Sequence, residues 1–109
     1  MSEERIGKIE SVSFGMGGYD GAMIGISFTL SSGAWGVGDF WGAWAIERSD
    51  YCKWTEEDRI KQLGETTMRI AQLLNDAKVE TVEQLKGRPV MVTFEKMKLK
   101  SWRILTEAL

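Results

Sequence analysis

The chain has 109 residues, of which 43% are hydrophobic and 28% charged, and its formal net charge is −2, a composition typical of one globular domain spanning residues 1–109. It contains no histidine and a single cysteine, so imidazole catalysis, histidine-based zinc sites and thiolate clusters are excluded, and we expect a protein that is not an enzyme. No apolar stretch approaches the roughly 20 residues of a membrane span and the N-terminus does not resemble a signal peptide, so no membrane is expected as a partner. The net acidity argues against duplex DNA as a partner.

The first half of the chain is predicted to form three strands. Loose alternation over residues 5–14 predicts a first strand, for which an edge position is one alternative, and a glycine-rich turn follows at residues 15–21. Clear alternation over residues 22–31 predicts a second strand, and residues 34–47 a third. In the first strand Ile6, Val12 and Phe14 would share one face, together with Lys8 and Glu10. In the second strand Ile24, Ile26, Phe28 and Leu30 would share one face. The third strand has large apolar side chains on both faces, so we expect another subunit or a ligand to cover one of them.

The second half is predicted to contain two helices and two strands. Thr55 is a good N-cap for a helix with an apolar face through residue 77, and the pattern Thr81–Gln84 is a second capping box that predicts a short helix. Strands are expected over residues 89–94 and 99–109. The predicted fold is α+β, with a small antiparallel sheet in the order β-β-β-α-α-β-β packed with two helices.

The segment "GMGGYDG", residues 15–21, has two interpretations. It lacks the Gly-Lys-Ser/Thr of a phosphate-binding loop, and a strand rather than a helix follows it, so a plain hairpin turn is the simpler interpretation. Alternatively, its backbone N–H groups bind phosphate oxygens while Phe14 and Tyr19, which flank it, stack on a base.

Five tryptophans are a high content for a chain of 109 residues. Trp41 and Trp44 are predicted to lie in the core. Trp35 and Trp102 have polar or glycine neighbours and are the better candidates for stacking on a ligand.

Cations are concentrated near the end of the chain, where residues 86–103 contain six basic residues and one acid. Without a bulge, Leu99, Arg103 and Leu105 would share one face, and Arg103 would need either a salt bridge, to Glu107, Glu65 or another acid, or a phosphate ligand. Arg48 and Arg69 raise the same question. Lys96, Lys98 and Lys100 are predicted to form a solvated strand face.

Four segments together are similar to the phage anti-Thoeris family of the first type: "KIESVSFGMGGYDGAMIGISFTL", "GAWGVGDFWG", "LLNDAKVETVEQLKGRPVMVTFE" and "LKSWRILTEAL". The resemblance covers nearly the whole chain. It implies a sponge that binds the cyclic ADP-ribose isomers made by TIR-domain defence enzymes, glyco-cyclic ADP-ribose among them, without cleaving them. Some members also bind cyclic trinucleotides of the CBASS pathway at a separate site.

The resemblance also implies a homo-oligomer, either a dimer or a dimer-based hexamer, with ligand sites at subunit interfaces, in the cytoplasm of the infected bacterial host. It implies no cofactor, metal or catalytic residue. The resemblance carries over Trp102, Arg103, Phe14 and the Gly17-Gly18 turn as ligand-binding residues. It implies a second phosphate-binding arginine, which is Arg48, Arg69 or Arg88. The aromatic residues Tyr19 and Trp35, named above from the sequence alone, complete the set of candidates. Arg88 is alternatively a candidate for the trinucleotide site. On this interpretation "FGMGGYDG" is a hairpin turn that forms one wall of a nucleotide pocket.

Three other functions remain open from the sequence. A structural or accessory phage protein would use its aromatic face only to form an oligomer. A single-stranded nucleic-acid binder would use the same aromatics and lysines, with steep salt dependence. A phosphodiesterase would need a metal held by carboxylates. Two of the acids Asp20, Asp39, Glu47 and Asp50 could form a carboxylate pair, but nothing in their spacing requires one.

Overall fold

The computed structural model describes residues 2–18, 21–45 and 54–109. These residues form five strands in one antiparallel sheet, an α-helix, and 3₁₀ helices at Val82–Leu85 and Thr106–Ala108. The elements are β1 (Ser2–Gly17), β2 (Met23–Ser32), β3 (Trp35–Trp44), α1 (Glu56–Ala77), β4 (Pro89–Glu95) and β5 (Lys98–Ile104). Their order across the sheet is β3-β2-β1-β4-β5, so β3 and β5 are its two edges.

The long strand β1 belongs to both halves of the sheet. Its first half pairs with β4 from Ser2 to Lys8, and its second half pairs with β2 from Lys8 to Gly17. A bulge between Ile9 and Ser11 shifts the register. The bulge places Val12 and Phe14 on the same face as Ile9, which is fully buried, whereas Ile6, three positions before Ile9, lies on the other face and is 61% exposed. The prediction that Ile6 shares a face with Val12 and Phe14 is therefore wrong.

Strand β2 forms the centre of the core, as its alternation predicts. Ile26, Phe28 and Leu30 are buried on one face and pack against residues from β1, β3, β4 and α1. The partners of these three residues on β3 are Trp41, Asp39 and Val37, and directly opposed residues lie on the same face of a sheet. One face of β3 is therefore turned towards the core, which confirms the prediction that Trp41 is a core residue.

The sheet is strongly curled. Four strand spacings separate β3 from β5, which is about 19 Å in a flat sheet. Nevertheless Trp102 Nε1 on β5 lies 2.7 Å from Asp39 Oδ2 on β3. The curl therefore brings the two edges together, and the α-helix packs against both of them.

Helix α1 begins and ends for identifiable reasons. Thr55 Oγ1 accepts a hydrogen bond from the backbone of Asp58, and the Asp58 carboxylate accepts one from the Thr55 N–H, which completes a capping box. These hydrogen bonds lower the pKa of Asp58. The helix ends at Ala77, where Lys78 adopts a left-handed conformation. The predicted N-cap and the predicted end of the apolar face are both confirmed.

Two predicted elements are wrong in type or length. The second capping box is present, with Gln84 at its third position, but it starts only a four-residue 3₁₀ helix, so the fold has one α-helix rather than two. The last strand ends at Ile104 instead of continuing to residue 109, and a 3₁₀ turn follows it. Within the described ranges, no helix has the length and apolar character needed to cross a membrane.

Candidate functional site

Asp39 joins the two edges of the curled sheet. Its Oδ2 accepts hydrogen bonds from Trp41 Nε1 at 3.0 Å and from Trp102 Nε1 at 2.7 Å. Its Oδ1 accepts one from the backbone N–H of Phe40 at 2.9 Å. Because bonds to a charged acceptor are stronger than bonds between neutral groups, this carboxylate fixes the positions of both indoles.

Phe28, Trp41 and Trp102 form an aromatic cluster around this carboxylate. The Trp41 and Trp102 rings are stacked, with centroids 5.3 Å apart and an interplanar angle of 21°. Phe28 contacts both edge to face, at 4.9 Å from Trp41 and 4.8 Å from Trp102. Such contacts stabilise by about 0.5–1.5 kcal/mol beyond burial of area. Trp102 is thus packed within this cluster, and it also lines the smaller of the two clefts described below.

Arg69 on α1 lies over Trp41. Its Cζ is 3.9 Å from the centroid of the ring, a cation–π contact. Arg5, Arg59 and Arg103 each form an ion pair with a glutamate, but no acidic side chain in the described ranges pairs with Arg69. The Arg69 side chain is exposed, so its five N–H donors remain accessible.

Two clefts adjoin at Arg69 and Trp41, which line both of them. The larger, of about 290 Å³, lies between α1 and the end of β3, and the smaller, of about 150 Å³, lies between α1 and β5. The larger is also lined by Phe40, Gly42, Gln62, Glu65 and Thr66. The smaller is also lined by Gln72, Leu73, Asp76, Trp102, Arg103 and Ile104. We name this pair of clefts the Arg69 groove.

Gln62 brings a further polar group to the larger cleft. Its Oε1 atom is buried and has no hydrogen-bond partner within the described part of the chain. A buried acceptor without a partner costs about 1–3 kcal/mol. A donor on a bound molecule would satisfy this oxygen.

Arg103 lines the smaller cleft, and the condition for its predicted face, a strand without a bulge, is not met. A register shift between Thr93 and Phe94 places Leu99 opposite Phe94, whereas Arg103 lies opposite Met91 on the other face. The Arg103 guanidinium forms two hydrogen bonds with the Glu107 carboxylate, at 3.0 and 3.1 Å. The predicted alternative of a salt bridge to Glu107 is therefore the one observed.

This pairing shifts the pKa of both groups. The hydrogen bonds from Arg103 lower the pKa of the Glu107 carboxyl to about 2, with smaller contributions from its own backbone and from Thr106. The same bonds to Glu107 raise the pKa of Arg103.

Phe14, Gly17 and Gly18 lie at the β1–β2 hairpin, away from the Arg69 groove lining. Phe14 pairs with Ile26 and is 58% exposed, and Gly17 is still within β1, paired with Met23. Gly18 has a φ of +67°, which glycine adopts most readily. Residues 15–17, predicted as part of a turn, are instead the end of β1 and pair with residues 23–25 of β2.

Trp35 and Arg88 occupy two other places. The Trp35 ring contacts Phe94 edge to face at 5.3 Å, near an apolar pocket of about 190 Å³ that includes Arg5 and Met97. The Arg88 backbone bonds to Ile9 and Leu85 at the start of β4. Tyr19 and Arg48, like Cys52, lie outside the described residues. Of the expected ligand-binding residues in the described ranges, the fold brings together Arg69, Trp102 and Arg103.

Asp39 is the central residue that sequence reasoning missed. The sequence treats it only as one of four candidate carboxylates, because its two indole partners lie two and 63 positions away. A charged residue within an otherwise apolar strand is the signal that marks it. In the described ranges, no group of three or more acidic or cysteine side chains is arranged to hold a metal ion.

Comparison with known proteins finds no matching family model, no similar curated protein and no similar solved structure.

Proposed function

We propose that this protein is a sponge for a small cyclic nucleotide. It binds a cyclic ADP-ribose isomer, glyco-cyclic ADP-ribose, of the kind made by TIR-domain Thoeris enzymes, and holds it without cleaving it. It acts as a homo-oligomer in the cytoplasm of a phage-infected bacterium. A cyclic trinucleotide at a separate site, with Arg88 as a candidate contact, belongs to the same proposal.

The observation that supports this proposal most directly is the position of Arg69. A guanidinium has a planar array of donors that matches two phosphate oxygens at once. Arg69 has no ion-pair partner in the described ranges and lines both clefts of the groove. Its stacking on Trp41 restricts its motion, so less entropy is lost when it binds an anion. A pyrophosphate is a ligand that this arrangement suits.

The neighbouring groups suit the rest of such a ligand. Bases stack on guanidinium planes as well as on aromatic rings, so the face of Arg69 turned away from Trp41 is a platform for adenine. Trp102 lines the smaller cleft, and Gln62 Oε1 in the larger cleft accepts a hydrogen bond from a ribose hydroxyl or a base amine.

The size of the groove agrees with a site shared between subunits. Ligand pockets usually measure about 300–1,000 Å³. The larger cleft has about 290 Å³ and the smaller about 150 Å³. A nucleotide of this class would span both clefts and be enclosed further by a second copy of the chain.

The test is binding followed by recovery of the ligand. The purified protein is titrated with glyco-cyclic ADP-ribose by calorimetry, then heat-denatured, and the supernatant is chromatographed. The proposal requires saturable binding and recovery of unchanged ligand. Altered ligand would indicate the phosphodiesterase, and absence of binding to this nucleotide and to cyclic trinucleotides would leave the structural oligomer as the better interpretation.

Arg69→Gln should weaken binding roughly 10- to 100-fold, the effect of losing hydrogen bonds from a charged group. Arg59→Gln is the matched control, because Arg59 is on the same helix but pairs with Glu56. If both variants bind equally well, Arg69 is not in the site.

A further inference from the structure

Among the described residues, the second half of β1 has a partner strand on one side only. Residues 11–17 pair with β2 on one side. On the other side, β4 has already ended its pairing at Lys8, and residues 87 and 88 bond to Ile9. Beyond Ile9, no described residue forms a strand or backbone pairing with that side of β1. A row of backbone N–H and C=O groups is therefore available to another strand.

This edge lacks the features that protect the other edges of the sheet. Proteins usually protect the edge strands of their sheets against unwanted pairing with lysines, with proline, or with a charge on the inward face. Strand β5 carries exposed Lys98 and Lys100, and β3 carries Asp39 on its inward face. Residues 11–17, "SVSFGMG", contain no charge and no proline. They also hold two of the exposed large apolar side chains, Phe14 at 58% and Met16 at 61%.

The residue pattern of this edge is complementary to itself. Val12, Phe14 and Met16 oppose Phe28, Ile26 and Ile24 and so lie on the concave face of the sheet. The intervening residues, which are only serine and glycine, lie on the other face. If the same edge of two copies of the chain paired antiparallel with Phe14 at the centre, Val12 of each copy would face Met16 of the other. Phe14 would face Phe14, and the serines and glycines would face one another.

We propose that two copies of this chain pair antiparallel along residues 11–17 of β1, about a two-fold axis at Phe14, so that their sheets become continuous. Such an interface is isologous, since the same edge serves both copies. Backbone hydrogen bonds supply affinity, and the apolar row supplies register. The interface contributes to the self-association included in the proposed function, but Phe14 does not line the Arg69 groove, so this interface is distinct from the contact that would enclose the nucleotide and does not depend on the nucleotide.

Disulfide trapping tests the register. Cys52 is the chain's one cysteine, and a Cys52→Ser background removes it. Directly opposed residues have Cα atoms about 4.5–5.5 Å apart, which a disulfide can bridge. Phe14→Cys in this background should form a covalent dimer within minutes of mild oxidation. Ser13→Cys is the matched control and should react far more slowly, because it would face Gly15 of the other copy.

Sedimentation velocity without ligand tests the association itself. The unaltered chain should sediment as a dimer or a multiple of it, and Phe14→Lys as a smaller species, because two like charges would oppose each other. Ile6→Lys is the control, since Ile6 is similarly exposed on β1 but pairs with β4. A monomeric parent chain, an undiminished Phe14→Lys assembly, or equal trapping at both cysteine positions would overturn the proposal. If Phe14→Lys does not fold, the comparison of disulfide formation by Phe14→Cys and Ser13→Cys still tests the proposal. Because no nucleotide is present, failure here is distinct from failure of the proposed function.

Discussion

Trp102 Nε1 donates a hydrogen bond of 2.7 Å to Asp39 Oδ2, and this bond joins the two edges of a curled five-stranded sheet. The same oxygen accepts from Trp41, whose ring contacts Arg69. The carboxylate therefore determines the position of the aromatic surface on which the guanidinium rests. Stability and the proposed ligand binding therefore both depend on this one residue.

Asp39→Ala should lower the free energy of unfolding by at least about 2 kcal/mol, because two partly buried indole N–H groups lose their acceptor. Urea denaturation followed by tryptophan fluorescence measures the loss. Asp39→Asn keeps one acceptor oxygen and should cost less. Equal midpoints for Asp39→Ala and the unaltered chain would show that the carboxylate does not hold the edges together.

Gly25 and Gly15 are opposed in the β1–β2 pair but differ in the space around them. A Cβ on Gly25 would collide with the backbone carbonyl oxygen of Trp41, whereas a Cβ on Gly15 would have no atom within 4 Å. Gly25→Ala should therefore destabilise the fold by about 1–3 kcal/mol or more, the usual cost of overpacking. Gly15→Ala should cost nothing or stabilise slightly. Thermal unfolding of the two variants compares them directly, and an equally stable Gly25→Ala chain would contradict the close packing of β2 on β3.

The turn between β4 and β5 contains two non-glycine residues with positive φ, Lys96 at 53° and Met97 at 67°. Such conformations cost about 1–2 kcal/mol per residue for most side chains, and Asn-Gly is the sequence that two-residue hairpin turns prefer. Replacing Lys96 with Asn and Met97 with Gly should raise the free energy of unfolding by about 1–2 kcal/mol. Met97 is 96% exposed, so little packing is lost.

Met97→Ala is the control for this turn, because alanine retains the positive-φ penalty. It should leave the urea midpoint nearly unchanged. If it stabilises as much as the Asn-Gly pair, relief of backbone strain is not the cause.

Glu107 should titrate in the folded protein with a pKa of about 2, compared with an ordinary value of 4.5. The folded state binds this proton less readily than the unfolded state. The pair therefore contributes stability that is fully present above about pH 4.5 and is lost as the pH falls towards 2. Carboxyl NMR titration measures the pKa. Arg103→Gln should return it towards 4.5.

Lys98→Gln removes a charge from the same strand without touching Glu107, and it should leave that pKa unchanged. A return of the pKa in both variants would assign the shift to general charge rather than to the two hydrogen bonds.

Sequence reasoning succeeds where the interactions are local. The alternation of β2 and the capping box at Thr55 depend on residues a few positions apart, and both are present in the structure. The second capping box is also present, yet its segment is too short for an α-helix. A capping pattern marks where a helix begins but not how many turns follow.

Sequence reasoning fails at bulges and at contacts between distant segments. The register shift in β1 separates Ile6 from the face of Val12 and Phe14, and the shift between β4 and β5 separates Arg103 from the face of Leu99. The residue types at the two shifts do not indicate that a bulge is present. The contact between Asp39 and Trp102 depends on the curl of the whole sheet. For the candidate site, the sequence could therefore name Arg69, Trp102 and Arg103 but not the carboxylate that organises them.

The division of β1 between two partner strands has a consequence for biosynthesis. Its second half can pair with β2 as soon as that hairpin leaves the ribosome, but Ser2–Lys8 must wait until Pro89–Glu95 has been made. Pairing over so long a stretch of chain is slow, and a waiting strand is exposed to wrong partners. The waiting half contains Glu3, Glu4, Arg5 and Lys8, and such charges discourage premature association. The charges in Ser2–Lys8 thus protect the nascent chain against wrong pairing in the part of β1 whose partner strand is synthesised last.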